Sequence, residues 1–415
     1  MSTLTRQGRL LTIIFLLLAF LLPATLAAYD FGLILNQTLG YGNSSGDADV
    51  DYEAAIVPRF SALLGDSGEL HISASVKVAY ENNGWNFVPE LLRSEFLWNF
   101  GHSDLSLGRM MFADPMNIAA LGLFDGARFS HHTAVGTFGA GLWFTGFLYK
   151  NRANISMTGD DAEALQAELD WNHFADTYFA SRRLVAAMYW DHPSFAELMR
   201  LNVALVAQVD LNEGDRPYHY HSQYLIAKAT LPIQGFIFEL GGAVEVAQTV
   251  SGNGNDFNIG LAGDIALRWM PPAAFHNMLS LTGRFTSGQA ESGPMSTFTP
   301  ITALTYGDVL AAKLPGLSVI GLNYTARLHH TFSTSLNVSH FVRSDLGTFT
   351  AWPLDGEAND NFFLGTEIFA RFIWSPVSDM SFNLGAGAFL PALGNVAPNA
   401  NPRWRVKLAL TLALY

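Results

Sequence analysis

Cysteine is absent from all 415 residues, so no disulfide framework, thiolate nucleophile or cysteine-bound metal supports this chain. Charge is scarce as well. Asp, Glu, Lys and Arg make up 14% of the sequence, where about 25% is usual for soluble domains. Long apolar runs are also missing. Beyond residue 22 no stretch approaches the roughly 18 apolar residues that mark a membrane-spanning helix, which excludes a helical membrane protein. The formal net charge of −13 argues against nucleic acid as a partner. What is present is hydrophobicity without runs: 49% hydrophobic, 13% aromatic, with 31 Phe and 37 Gly. Apolar residues distributed in alternation point to a transmembrane β-barrel.

The N-terminus reads as an export signal. Arg6 and Arg9 precede the apolar stretch 10–22, and Pro23, Thr25 and Ala27 supply a breaker and small residues before a cleavage site. The pattern predicts removal of residues 1–27 and a single barrel domain over 28–415. Export without a later stop-transfer helix places the chain in the bacterial envelope, and the barrel pattern places it in the outer membrane. Outer-membrane lipid and the barrel-assembly machinery are then its expected partners.

From Tyr29 onward, apolar and polar residues alternate in segments that break at Gly, Pro, Asn and Asp. The last segment is the clearest. Trp404, Val406, Leu408, Leu410, Leu412 and Leu414 share one parity, while Arg403, Arg405 and Lys407 share the other. An aliphatic face opposite a cationic one fits lipid outside and water inside. Eighteen such segments are predicted, near 29–40, 51–63, 69–80, 91–100, 104–112, 123–131, 136–149, 178–190 and 197–210, and then near 218–231, 235–247, 256–269, 277–286, 317–328, 331–343, 362–374, 379–389 and 403–415. Every second connection is short, as at 65–68, 101–103 and 191–193. The others are mostly longer, notably 150–177, 287–316 and 344–361. The predicted fold is therefore an all-β, antiparallel transmembrane barrel of about eighteen strands, with short periplasmic turns and long extracellular loops. Of the long loops, 150–177 and 287–316 are expected outside the cell, with one of them folding toward the pore.

Parity also sorts the charges. The loops are expected to be acidic, with Asp49, Asp51, Asp160, Asp161, Glu163 and Asp170 among them. The lumen is expected to hold Arg59, Lys77, Arg93, Arg200, Arg268, Arg284, Arg327, Arg371, Arg403, Arg405 and Lys407. Glu53, Glu95, Glu239, Glu245, Asp264 and Glu367 oppose them. An interior with more cations than anions suits a ladder that passes an anionic solute from site to site. His219 and His221 share a strand face, but no cysteine accompanies them and the nearest acids lie in the neighbouring loop, so they read as structural, and no metal or cofactor is expected. No hydrolase or nucleotide-binding motif is found, so no enzymatic activity is expected.

One stretch carries a family resemblance. Leu107-Gly108-Arg109 closes one strand, Asp114-Pro115 follows, and Phe124-Asp125-Gly126-Ala127-Arg128 opens the next. Leu364-Gly365-Thr366-Glu367 and the Gly-rich 384–391 segment agree with it. These motifs resemble the alginate-export family of outer-membrane barrels. The resemblance implies a monomeric eighteen-stranded barrel with an Arg-rich lumen for an anionic polysaccharide, and it adds Arg109, Asp125 and Arg128 to the solute-binding set. The expected function is diffusion or export of a small anionic or carbohydrate solute. The alternatives are a fatty-acid-type transporter of hydrophobic solutes and a surface adhesin.

Overall fold

The computed structural model describes residues 26–43, 48–81, 84–212, 216–252, 254–272, 276–290, 293–346 and 361–414. The expected signal up to residue 25, most of the 344–361 connection and Tyr415 lie outside the described residues. The wall starts with β1 (Leu26–Gly42), β2 (Asp49–Leu64), β3 (Gly68–Glu81), β4 (Gly84–Asn99), β5 (Ser103–Ala113) and β6 (Leu121–Thr133). It continues through β7 (Gly136–Phe144), β8 (Arg183–Phe195), β9 (Met199–Asp210), β10 (Tyr218–Ile233), β11 (Phe236–Ser251), β12 (Gly254–Trp269) and β13 (His276–Thr286). Two short strands, β14 (Thr305–Tyr306) and β15 (Ala312–Lys313), form a ribbon within the next connection. β16 (Leu317–His329), β17 (Phe332–Arg343), β18 (Phe363–Val377), β19 (Met380–Leu390) and β20 (Arg403–Leu414) complete the wall.

Each wall strand pairs antiparallel with its sequence neighbours, and β1 pairs with β20 to close an 18-stranded barrel. Closure satisfies the backbone without free edges, which is what a sheet in hydrocarbon requires. The strand at 178–190 begins later than expected, at Arg183, and runs on through Asp191-His192-Pro193, so the turn lies at 196–198. The expected strand 136–149 stops at Phe144, because the chain leaves the wall there for three short helices. These are α1 (Lys150–Ala153), α2 (Gly159–Gln166) and α3 (Phe174–Tyr178).

The alternation sorts the side chains as lipid and water would. Leu408 and Leu414 are exposed on the outer face, as are Leu240, Leu281, Leu322 and Met188 on other strands. Aromatic rings border this apolar belt at both ends. At the short-turn end, Phe138 stacks on Trp190, Phe236 on Trp269, and Trp374 on Phe382. At the long-loop end, Tyr41 meets Trp404 and Trp85 meets Tyr80. On β1 the outward Phe31 and Tyr41 are ten residues apart, about 33 Å along the strand. That is about 25 Å vertically at a tilt near 40°, the height of an outer-membrane apolar belt. The molecule is an outer-membrane barrel.

Candidate functional site

The lumen face can be followed around the wall by register. Lys407 pairs with Gly40 and with Gly385, which pairs with Arg371. Arg59 pairs with Ser73, and Ser73 with Arg93. Asp264 pairs with Arg284, and His276 with Arg327. By this count Arg59, Lys77, Arg93, Glu95, Arg128, Arg200, Asp264, Arg268, Arg284, Arg327, Glu367, Arg371, Arg403, Arg405 and Lys407 all point inward. Asp51, expected in a loop, is a β2 residue on the same face. It reaches across Gly40, where a Cβ would collide with its carboxylate, to the Arg405 guanidinium at 2.9 Å.

Most of these cations already hold an anion. Lys77 meets Glu53 at 3.3 Å and Arg93 meets Glu95 at 2.6 Å. Arg268 and Lys228 share Glu239, and Arg200 is paired with Asp191. Arg59 and Lys407 differ: both are exposed to the lumen, and neither has a hydrogen-bond or ion-pair partner among the described residues. Arg327 donates only to the His330 carbonyl. A concavity of about 280 Å³ on this side is lined by Asp30, Arg59, Ser61, His71, Ser73 and Arg93. A larger one, about 710 Å³, lies on the outer wall between Ala186, Leu205, Leu225 and Val244 and offers almost nothing polar.

Two connections, one short and one long, fill the opposite sector of the lumen. The β5–β6 connection is wound around Asp114, whose carboxylate accepts the backbone N–H groups of Met116, Ile118, Ala119 and Ala120. The 287–316 connection folds inward beside it, and Ile301 N–H donates to the Ala119 carbonyl at 2.7 Å. Three wall residues anchor the two. Glu245 accepts Thr299 N–H at 2.6 Å. Arg284 donates to the Met116 carbonyl and to Asp264. Glu367 accepts the N–H groups of Asp308, Val309 and Leu310. Asp308, carried by that loop, sits on Arg371 at 2.7 Å. Met116, Ile118, Phe298 and Ile301 pack with the lumen-facing Val206, Tyr224 and Ala243 in one apolar cluster.

The 150–177 connection also enters the barrel mouth. Thr158 and Asp161 form a capping box at the start of α2. Asp161 is fully buried against Arg183, which also meets Asp210. Burial pushes the Asp161 carboxyl up, but the Arg183 charge with hydrogen bonds from Ser181, Arg216 and Thr158 outweighs it and holds the group below the usual carboxylate range. Arg183 was missed as a lumen cation because its same-face neighbours, Val185 and Ala187, are apolar. Lys228 was missed likewise, since it shares its face with Tyr220, Tyr224 and Ile226.

Two expected site residues are elsewhere. Arg109 and Asp125 face outward, because Arg109 pairs with Ser94 and its neighbour Gly108 with the lumen-facing Glu95. Arg109 is nevertheless buried, bonded to both Asp125 oxygens at 2.7 Å, to the Leu91 carbonyl at 2.6 Å and to the Phe147 carbonyl at 2.9 Å. The motif that carried the family resemblance therefore belongs to the wall and does not face the lumen. His219 and His221 stack at 6.5 Å on the outward parity. Among the described residues no group of three or more His, Asp and Glu could hold a metal ion.

No family model matches the sequence, and no curated protein matches it. The fold has clear structural counterparts, among them three barrels from Pseudomonas aeruginosa. OccK2 in complex with glucuronate matches with a TM-score of 0.60 at 13% identity, over 94% of this chain and 99% of that one. OpdK, an outer-membrane protein, matches at 0.59 and 10% identity over 94% and 100%. The outer-membrane protein OprD matches at 0.58 and 11% identity, over 93% of both chains. These likenesses correct the alginate-export assignment, since the neighbours are OprD- and OccK-type barrels. At such identities they establish architecture alone: this chain is an eighteen-stranded outer-membrane barrel built like OprD and the OccK proteins.

Proposed function

We propose that the barrel is a channel for small anionic or sugar-like solutes, which pass along the β20–β4 side of the lumen. The observation that carries this reading is the pair of lumen-exposed cations, Arg59 and Lys407, which have no partner among the described residues and lie on the sector the inward loops leave uncovered. Cations without a built-in anion in a narrow low-dielectric passage attract anions. Arg93, Arg371 and Arg405, each about a third exposed and held by a single carboxylate, extend the row. Arginine suits carboxylates because its planar fork donates two hydrogen bonds. The solved neighbours support the chemistry by analogy: OccK2 was crystallised with glucuronate and OpdK with vanillate, and both ligands are carboxylates bearing oxygen substituents.

The test is a reversal potential under a salt gradient across a planar bilayer. Anion preference is expected, reduced by Arg59→Gln and Lys407→Gln, which remove charges that no described residue neutralises. Cation preference in the unmodified protein, or a preference indifferent to both substitutions, would overturn the reading.

A further inference from the structure

The wall is not laddered throughout. β4 pairs with β3 along its whole length, down to Gly84 opposite Glu81. On its other edge it pairs with β5 only over Ser94–Asn99 against Asp104–Arg109. Above that point the strands part, leaving β4 residues 84–93 and β5 residues 110–113 without each other. The fork starts at Gly108, whose φ of +107° suits glycine. A Cβ there would lie 1.9 Å from the Ser94 carbonyl.

The β7–β8 connection fills the fork. Tyr178 donates to the Pro89 carbonyl at 2.6 Å, and Arg152 grips the Glu90 carboxylate at 2.8 and 3.1 Å. Arg109 ties the Leu91 carbonyl of β4 to the Phe147 carbonyl of the connection while Asp125 holds it from β6. The connection runs through the wall. Phe147 is 63% exposed on the outside, its ring 5.0 Å from the outward Phe144, whereas Leu148, Ala153 and Ile155 are buried in the lumen-side cluster with Phe124 and Trp143. Side chains close this stretch in place of a backbone ladder. Apolar side chains lie on both sides of it, Phe147 outside and Leu148, Ala153 and Ile155 inside.

We infer that the β4–β5 fork is a side port to the membrane, with the β7–β8 connection as its door and Arg109 as its bolt. Its fitting passenger is an amphipath with an alkyl chain and an anionic head. The chain would follow the apolar side chains from Phe147 to Ile155. The head would pair with the Arg109 and Arg152 guanidiniums once the door releases them from Asp125 and Glu90. This port is independent of the axial pathway for small anions.

The test reconstitutes the full barrel in bilayers containing a diazirine-bearing palmitate, with photolabelled residues located by mass spectrometry. Because the chain lacks cysteine, Leu91→Cys combined with Phe147→Cys can be joined by a thiol crosslinker to lock the door. Glu90→Gln frees Arg152, and Tyr178→Phe removes the hydrogen bond from the door to the Pro89 carbonyl; both keep the two guanidiniums for the head. Label on Leu148, Ile155 or Phe124 is expected in the released variants, reduced at least several-fold in the locked form. Axial KCl conductance should be equal in all of them, which separates a port from a collapsed barrel. Label confined to outward-facing residues, or inward label that the lock does not reduce, would overturn the port and leave the axial channel reading intact.

Discussion

The carboxylate of Glu367 on β18 receives the backbone N–H of Leu310 at 2.8 Å, so a wall residue fixes the position of a loop 57 positions away in sequence. Asp308 and Val309 donate to the same carboxylate. A carboxylate with three backbone donors is a strong local anchor. Glu367→Ala should release the 307–311 segment from the wall. The expected result is higher and noisier single-channel conductance with unchanged assembly. A conductance trace identical to the unmodified protein would show that the segment does not narrow the pore.

Asp125→Asn leaves Arg109 charged and buried in the wall. Breaking a buried pair from one side costs about 3–5 kcal/mol. The variant should lose the resistance of the folded barrel to heating in detergent, read as the temperature at which its fast-migrating band disappears from a gel. Arg109→Met combined with Asp125→Leu removes both charges and should recover much of that loss.

Leu410→Arg puts a charge on the lipid face of β20. A cationic substitution near mid-membrane costs about 2–4 kcal/mol, so folding into bilayers should become less favourable by that amount in a denaturant titration. Arg405→Leu, on the lumen face, should assemble and alter selectivity. The reverse pattern would mean that the two faces are exchanged.

Asp161 gives the mouth of the barrel an acid limit. Its folded pKa is depressed, so its stabilisation is complete above the unfolded carboxylate value near 3.9 and is lost as pH falls through the lower folded value. Docking of α2 should therefore hold unchanged from neutral pH down to about 4 and fail below that. Protease cleavage within 159–166 as a function of pH measures it. Asp161→Asn should be cleaved readily at neutral pH.

The barrel was legible because strand period and membrane chemistry give the same alternation: Leu408 and Leu410 fall on one face and Arg405 and Lys407 on the other. Arg93 with Glu95, two apart on one strand face, was a legible pair; the pairs between strands were not, because they depend on register between distant segments, as Arg405 with Asp51 shows. The inward folding of 287–316 was foreseen for one of the long loops, but its partner, the short connection at 114–120, carried no length signal. Arg109 was misplaced for a local reason. Its apolar neighbours left its parity ambiguous, and only the pairing of Gly108 with Glu95 decides it. The motif around it looked functional because its geometry is demanding, and the demand comes from the fork.

The three wall residues that anchor the inward loops come from β11, β13 and β18, and the loop tip at Ala119 comes from between β5 and β6. These parts meet only when most of the wall has formed. The passage is therefore wide while the strands are being added, and its narrow section is assembled last. A late arrest in biogenesis would leave an open hole in the membrane, so completion of the lumen filling is also what makes an inserted barrel safe for the cell.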